Sequence, residues 1–104
     1  MKNVKMKMVK SVMKISDPVE NQQKFEEENR DKMVEIIDYC DELALCAMFG
    51  TNDTGEYLFQ VEILADTVAE CKGILSSVKK KVKKIFKGSK EIFQATGEKI
   101  TAPF

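Results

Sequence analysis

At 104 residues, with 43% apolar and 33% charged residues, the chain has the size and composition of one folded domain rather than of a disordered segment. No apolar run approaches the roughly 18 residues that cross a membrane as a helix, and the absence of histidine removes Ser-His and Cys-His nucleophile pairs. The zero net charge hides segregation: residues 1–15 carry five lysines and no acid, residues 16–71 fifteen acids against three basic residues, and residues 72–104 nine lysines against two acids. Order of this kind encodes pairing within or between molecules.

Residues 1–15 place Val4, Met8, Val12 and Ile15 at helical spacing, with Val9 and Met13 widening the stripe. The expectation is a basic amphipathic helical arm. The period-two alternation of "VKMKM" leaves a short strand as the alternative. Lysines interrupt every apolar stretch, which argues against a secretory signal. An acid-free transit peptide is a further alternative, weakened by the lack of arginine there.

"SDPVENQ" reads as a stop and a new start, with Ser16 or Asp17 as cap and Pro18 in the first turn of an acidic helix over 16–50. Met33, Ile36, Ile37, Cys40, Leu43, Ala44, Ala47 and Met48 give it a broad apolar face, and Gly50 is placed to end it in the left-handed conformation. The half between Val19 and Met33 has one large apolar residue, Phe25, among acids.

After "FGTNDTGEY", Tyr57, Val61, Leu64, Val68, Cys71, Leu75, Val78, Val82 and Ile85 step by four and three without a break. That is a heptad seam about four heptads long, predicting one helix within 51–93, and residues 94–104 read as a loose tail. Two helices over about 18–49 and 54–87 joined by a turn run antiparallel. The predicted fold is therefore all-α: a helical hairpin with a shorter N-terminal helix, completed as a bundle by dimerisation through the seam. In that hairpin Lys79 falls opposite Glu26 and the lysines at 80–87 opposite residues 17–25, an incomplete match in which Lys83, Lys84 and Lys87 point away from the seam.

Motifs for chemistry fail one by one. Gly50 and Gly55 have P-loop spacing, but Glu56 stands where lysine must reach the phosphates. As a calcium loop the same stretch would begin on Gly50 and end on Val61, neither a ligand. Cys40, Cys46 and Cys71 are an odd set without CxxC spacing, which suits free thiols in a reducing, cytoplasmic setting. The chain is thus expected to be non-enzymatic, with no catalytic, cofactor-binding or metal-binding residues. It is expected to act as a protein–protein interaction module, an inhibitor or adaptor docking on a larger protein, of the kind phages and mobile elements encode. Its partner-binding candidates are Phe25, Glu27, Glu28 and Asp31, and a homodimer or higher homo-oligomer is expected through the seam. One alternative is nucleic-acid or polyphosphate binding through Lys80, Lys83, Lys84, Lys87 and Lys90. A second is membrane-surface association through the N-terminal arm.

Overall fold

The computed structural model describes residues 4–101. The chain order is β1 (Val4–Ser16), α1 (Gln22–Glu28), α2 (Arg30–Glu42), β2 (Cys46–Thr51), β3 (Tyr57–Ala65), α3 (Val68–Ile85) and β4 (Lys90–Thr101). The four strands form one antiparallel sheet in the order β2-β3-β1-β4. The crossover from β1 to β2 passes over β3, and that from β3 to β4 passes over β1. This is the split β-α-β arrangement with helices on one face.

This corrects the all-α expectation, and with it the helical hairpin, the coiled coil and the dimer through a helical seam. Residues 4–15 are not part of the helical arm expected over 1–15, whose first three residues lie outside the described residues. Their period-two alternation prevails because β1 is the central strand, hydrogen-bonded to β3 on one side and β4 on the other. Val9, Ser11, Met13 and Ile15 are buried under the helices, while Met8, Lys10, Val12 and Lys14 point to the opposite side and remain half-buried. Residues 4–15 thus form a strand and not the amphipathic helix expected to lie on a membrane. Residues 94–101 of the predicted tail belong instead to the edge strand β4, paired to β1 as far as Thr101, and residues 102–104 lie outside the described residues.

The heptad seam dissolves for a related reason. A step of four preserves the face of a strand and a step of three reverses it. Tyr57 and Val61 therefore point inward with Phe59 and Ile63, whereas Leu64 falls on the opposite face. Only from Cys71 onward do the steps describe a helix: Cys71, Leu75, Val78 and Val82 are the buried stripe of α3, flanked by half-buried Val68 and Ile85. The helix boundary between the two is set by Thr67, whose side chain accepts from the Glu70 backbone N–H at 3.1 Å. Thr67 and Glu70 have the spacing of a capping box.

The acidic helix is two helices and a strand. Asn21 caps α1 by accepting from Lys24 N–H at 3.0 Å, and Asn29 separates α1 from α2. The second helix ends at Leu43, with Ala44 at φ 57° and Leu45 N–H donating to Cys40 C=O at 2.9 Å. The left-handed residue is thus Ala44 rather than Gly50. The "GTNDTG" turn joins β2 to β3 as a strand hairpin. Asn52 Oδ1 accepts there from the backbone N–H groups of Thr54 and Glu56, and Gly55 at φ 85° supplies the positive φ.

One core lies between the sheet and the helices. It is built from Val9, Met13, Tyr57, Phe59, Val61 and Ile63 below and Ile36, Cys40, Leu75, Val78, Val82 and Phe86 above. Aromatic contacts knit its β2 end: Phe49 lies 5.0 Å from Phe59 and 6.3 Å from Phe86, centroid to centroid.

Candidate interaction surfaces

The strand alternation that builds the core also leaves a second face without a helix over it. Cross-strand register fixes which residues share this open face. One row runs Met48, Gln60, Val12 and Phe93; the next runs Cys46, Glu62, Lys10 and Ala95; a third runs Leu64, Met8 and Gly97. Met8 packs across its neighbour, since a Cβ on Gly97 would sit 3.4 Å from the Met8 Cε. Lys99 reaches over the same face to Glu62 at 2.9 Å. Met48 and Phe93 are 59% and 52% exposed at opposite edges of their row. Sequence reasoning missed this face because it assigned Leu64 to a seam and Phe93 to a helix. The available signal was the alternation YLFQVEIL, whose even members are mixed and whose odd members are uniformly apolar.

The helix layer carries the segregated charge. Along α3 the lysines do not meet the acids of α1. Among the described residues, Lys79 pairs with Glu91 at 3.4 Å and Lys81 with Glu35 at 3.7 Å. Lys80, Lys83, Lys84, Lys87 and Lys90 are exposed and enter no ion pair among the described residues. The counter-charge expected between Asp17 and Glu28 makes no ion pair with these lysines among the described residues: Asp17, though it lines one groove with Lys87 and Lys90, pairs with Lys14, and Glu26, Glu27 and Glu28 sit on the other crossover. Lys72, Lys80 and Lys83 line a shallow groove between α3 and β4 with Gln94 at its edge.

The partner-binding candidates fall on α1 and the start of α2. Glu27, Glu28 and Asp31 are exposed around one notch with Arg30. Phe25 is not an exposed anchor among them. Its ring lies 4.5 Å from Tyr57 and is half-buried against the core. Next to it the fully buried Tyr57 donates its hydroxyl to Glu26 at 2.6 Å. Burial first, and the Glu26 carboxylate second, push that phenol above its ordinary range, so it stays a neutral donor.

Three free thiols differ in access: Cys46 is exposed on β2, whereas Cys40 and Cys71 are buried. Burial, with a smaller contribution from Asp41, raises the Cys40 thiol to about 11. The described residues contain no cluster of three or more potential metal ligands. No helix among them is long and apolar enough to cross a membrane.

No protein-family model and no curated protein matches the chain. Among solved structures it is similar to the de novo designed protein Foldit4, with 14% identity, a TM-score of 0.48, and coverage of 97% of this chain and all of that one. It is also similar to a C-terminal segment of the alpha subunit of aIF2 from Pyrococcus abyssi, with 10% identity and a TM-score of 0.44. That match covers 98% of this chain and 51% of the other. At these scores neither likeness bears on function.

Proposed function

We propose that the protein is a non-enzymatic protein–protein interaction module, an adaptor or inhibitor in kind, that docks through the open face of its sheet. The observation that carries this reading is the row Met48–Gln60–Val12–Phe93, which holds two large apolar side chains in water at the edges of a four-stranded sheet. The face is mixed, with Gln60, Glu62 and Lys10 among its members, and its exposed Met48 and Phe93 are the apolar side chains that a partner would cover. Free thiols, two of them buried, fit a reducing compartment such as the cytoplasm. The test is a photo-crosslinking residue placed at position 48 or 93 of the full chain in the cells that produce it, with position 84 on α3 as control. Protein adducts from 48 and 93 but not from 84 support the reading. Adducts from 84 alone, or from none, overturn it.

A second reading, polyanion binding, is favoured by Lys80, Lys83, Lys84, Lys87 and Lys90, which run from α3 to the start of β4 and lack acidic partners among the described residues. Lysine point charges grip phosphate without reading bases, so binding would be indifferent to sequence and would weaken steeply with salt. Changing Lys83, Lys84 and Lys87 together to glutamine would reduce the salt slope by about three. Absence of binding to single- and double-stranded nucleic acid at low salt excludes this reading.

A further inference from the structure

We infer that the occupant of the open sheet face is a second copy of this chain, packed face to face about a two-fold axis parallel to the strands. The inference rests on the open face being the interaction surface. It adds the partner and the geometry.

The argument is one of charge. Rotation about an axis along the strands, placed over the β3–β1 boundary, lays β2 of one copy over β4 of the other and β3 over β1, with every row kept. Glu62 then faces Lys10 of the second copy, and Lys10 faces Glu62, so the pair is made twice. In the same arrangement Met48 meets Phe93 and Leu64 meets Met8. The alternative axis, across the strands, lays each strand on itself. Centred on the charged row it opposes Lys10 to Lys10 and Glu62 to Glu62, an arrangement that like charges disfavour. Glu62 already holds Lys99 on one side, and a carboxylate has acceptor capacity for a second lysine. Lys10, by contrast, enters no ion pair among the described residues, although its row neighbour on β3 is an acid.

Area sets the strength. Four strands about 4.8 Å apart, over three rows about 7 Å apart, give a face on the order of 400 Å² per copy. The pair would bury about 800 Å², below the roughly 1,000 Å² of a stable interface, so the dimer is a weak, transient one.

The test is sedimentation velocity on the full chain from about 1 µM to about 300 µM. A monomer–dimer equilibrium is expected. Lys10→Glu and Glu62→Lys should each raise the dimer dissociation constant by about tenfold or more, since each creates two like-charge contacts. An equimolar mixture of the two variants should form a heterodimer at least as tight as the parent dimer, because every facing pair is then opposite in charge. Circular dichroism melts establish that each variant is folded. If one is not, Met48→Lys, which buries a charge against Phe93 of the second copy, replaces it and should abolish dimerisation. A parent chain that stays monomeric to the highest concentration overturns the second-copy inference, and so does a mixture that behaves as two monomers. Neither result touches the broader reading, which stands or falls on crosslinks from positions 48 and 93 to any protein.

Discussion

Glu91→Ala should destabilise the protein far more than its place near the end of an edge strand suggests. Ser11 is 0% exposed in the middle of the central strand, and its hydroxyl donates to Glu91 across the β1–β4 ladder. The same carboxylate takes Lys79 of α3 at 3.4 Å, with both side chains about a quarter exposed, 29% and 21%. Alanine at 91 strands a buried hydroxyl, at a cost of about 1–3 kcal/mol. Losing the Lys79 pair adds about 0–1 kcal/mol at that exposure. For a domain of this size each kcal/mol shifts the midpoint by about 4–8 °C, so Tm should fall by about 4–30 °C. Ser11→Ala alone should cost less, because it removes the buried polar group together with its need for a partner. In the double variant Ser11→Ala should recover part of what Glu91→Ala loses, a coupling of about 1–2 kcal/mol in a thermal double-mutant cycle. If Glu91→Ala melts with the parent, or the double variant melts below Glu91→Ala, the buried Ser11–Glu91 link is not what holds β4 to the sheet.

Three further expectations test other parts of the structure. Leu75→Asp should cost several kcal/mol or prevent folding, while Leu64→Asp, on the open face, should cost about 1 kcal/mol in dilute solution; denaturant titration separates them, and equal losses would contradict the strand assignment of β3. Ala44→Gly should stabilise by about 0.5–1 kcal/mol in the same titration, since glycine relieves the φ of 57° at the end of α2. Glu98, held between Lys7 and Lys5 where β1 and β4 run past β3, has its carboxyl lowered from 4.5 to about 2. Its folded value lies below its unfolded one, so its stabilisation is present above about pH 4.5 and is lost as pH falls toward 2. Carboxyl-carbon NMR should place its midpoint near 2, and Lys7→Gln should move it upward.

Some of this fold was legible in the sequence. The stripe of Met33, Ile36, Ile37 and Cys40 marks α2, and Cys71, Leu75, Val78 and Val82 mark α3; both stripes pack on the sheet. The breaks at "SDPVENQ" and "GTNDTG" were legible as breaks, but Asn21 rather than Ser16 or Asp17 caps α1, Pro18 lies outside it, and the turn joins two strands rather than two helices. What misled was the join between β3 and α3. Tyr57 and Val61 satisfy strand and heptad spacing alike, so the helix register extended backward through a strand, past the cap signal of Thr67 and Glu70. Once 57–65 was helical, a hairpin followed, and the lysines of α3 acquired counter-charges they do not have. The open face was illegible for the same reason. It exists only once β1 is paired with strands distant in sequence, Val12 with Gln60 on β3 and with Phe93 on β4.

The claim that the open face is covered by a second copy makes stability depend on concentration. The most direct measurement is Tm against protein concentration for the parent chain and for Phe93→Lys, whose side chain is half exposed and outside the core. Association that involves only the folded state raises Tm with concentration. The parent midpoint should climb over the micromolar range, while Phe93→Lys should keep the parent's dilute value at every concentration. A parent midpoint that does not move with concentration, or a Phe93→Lys midpoint that climbs in step with it, contradicts the account.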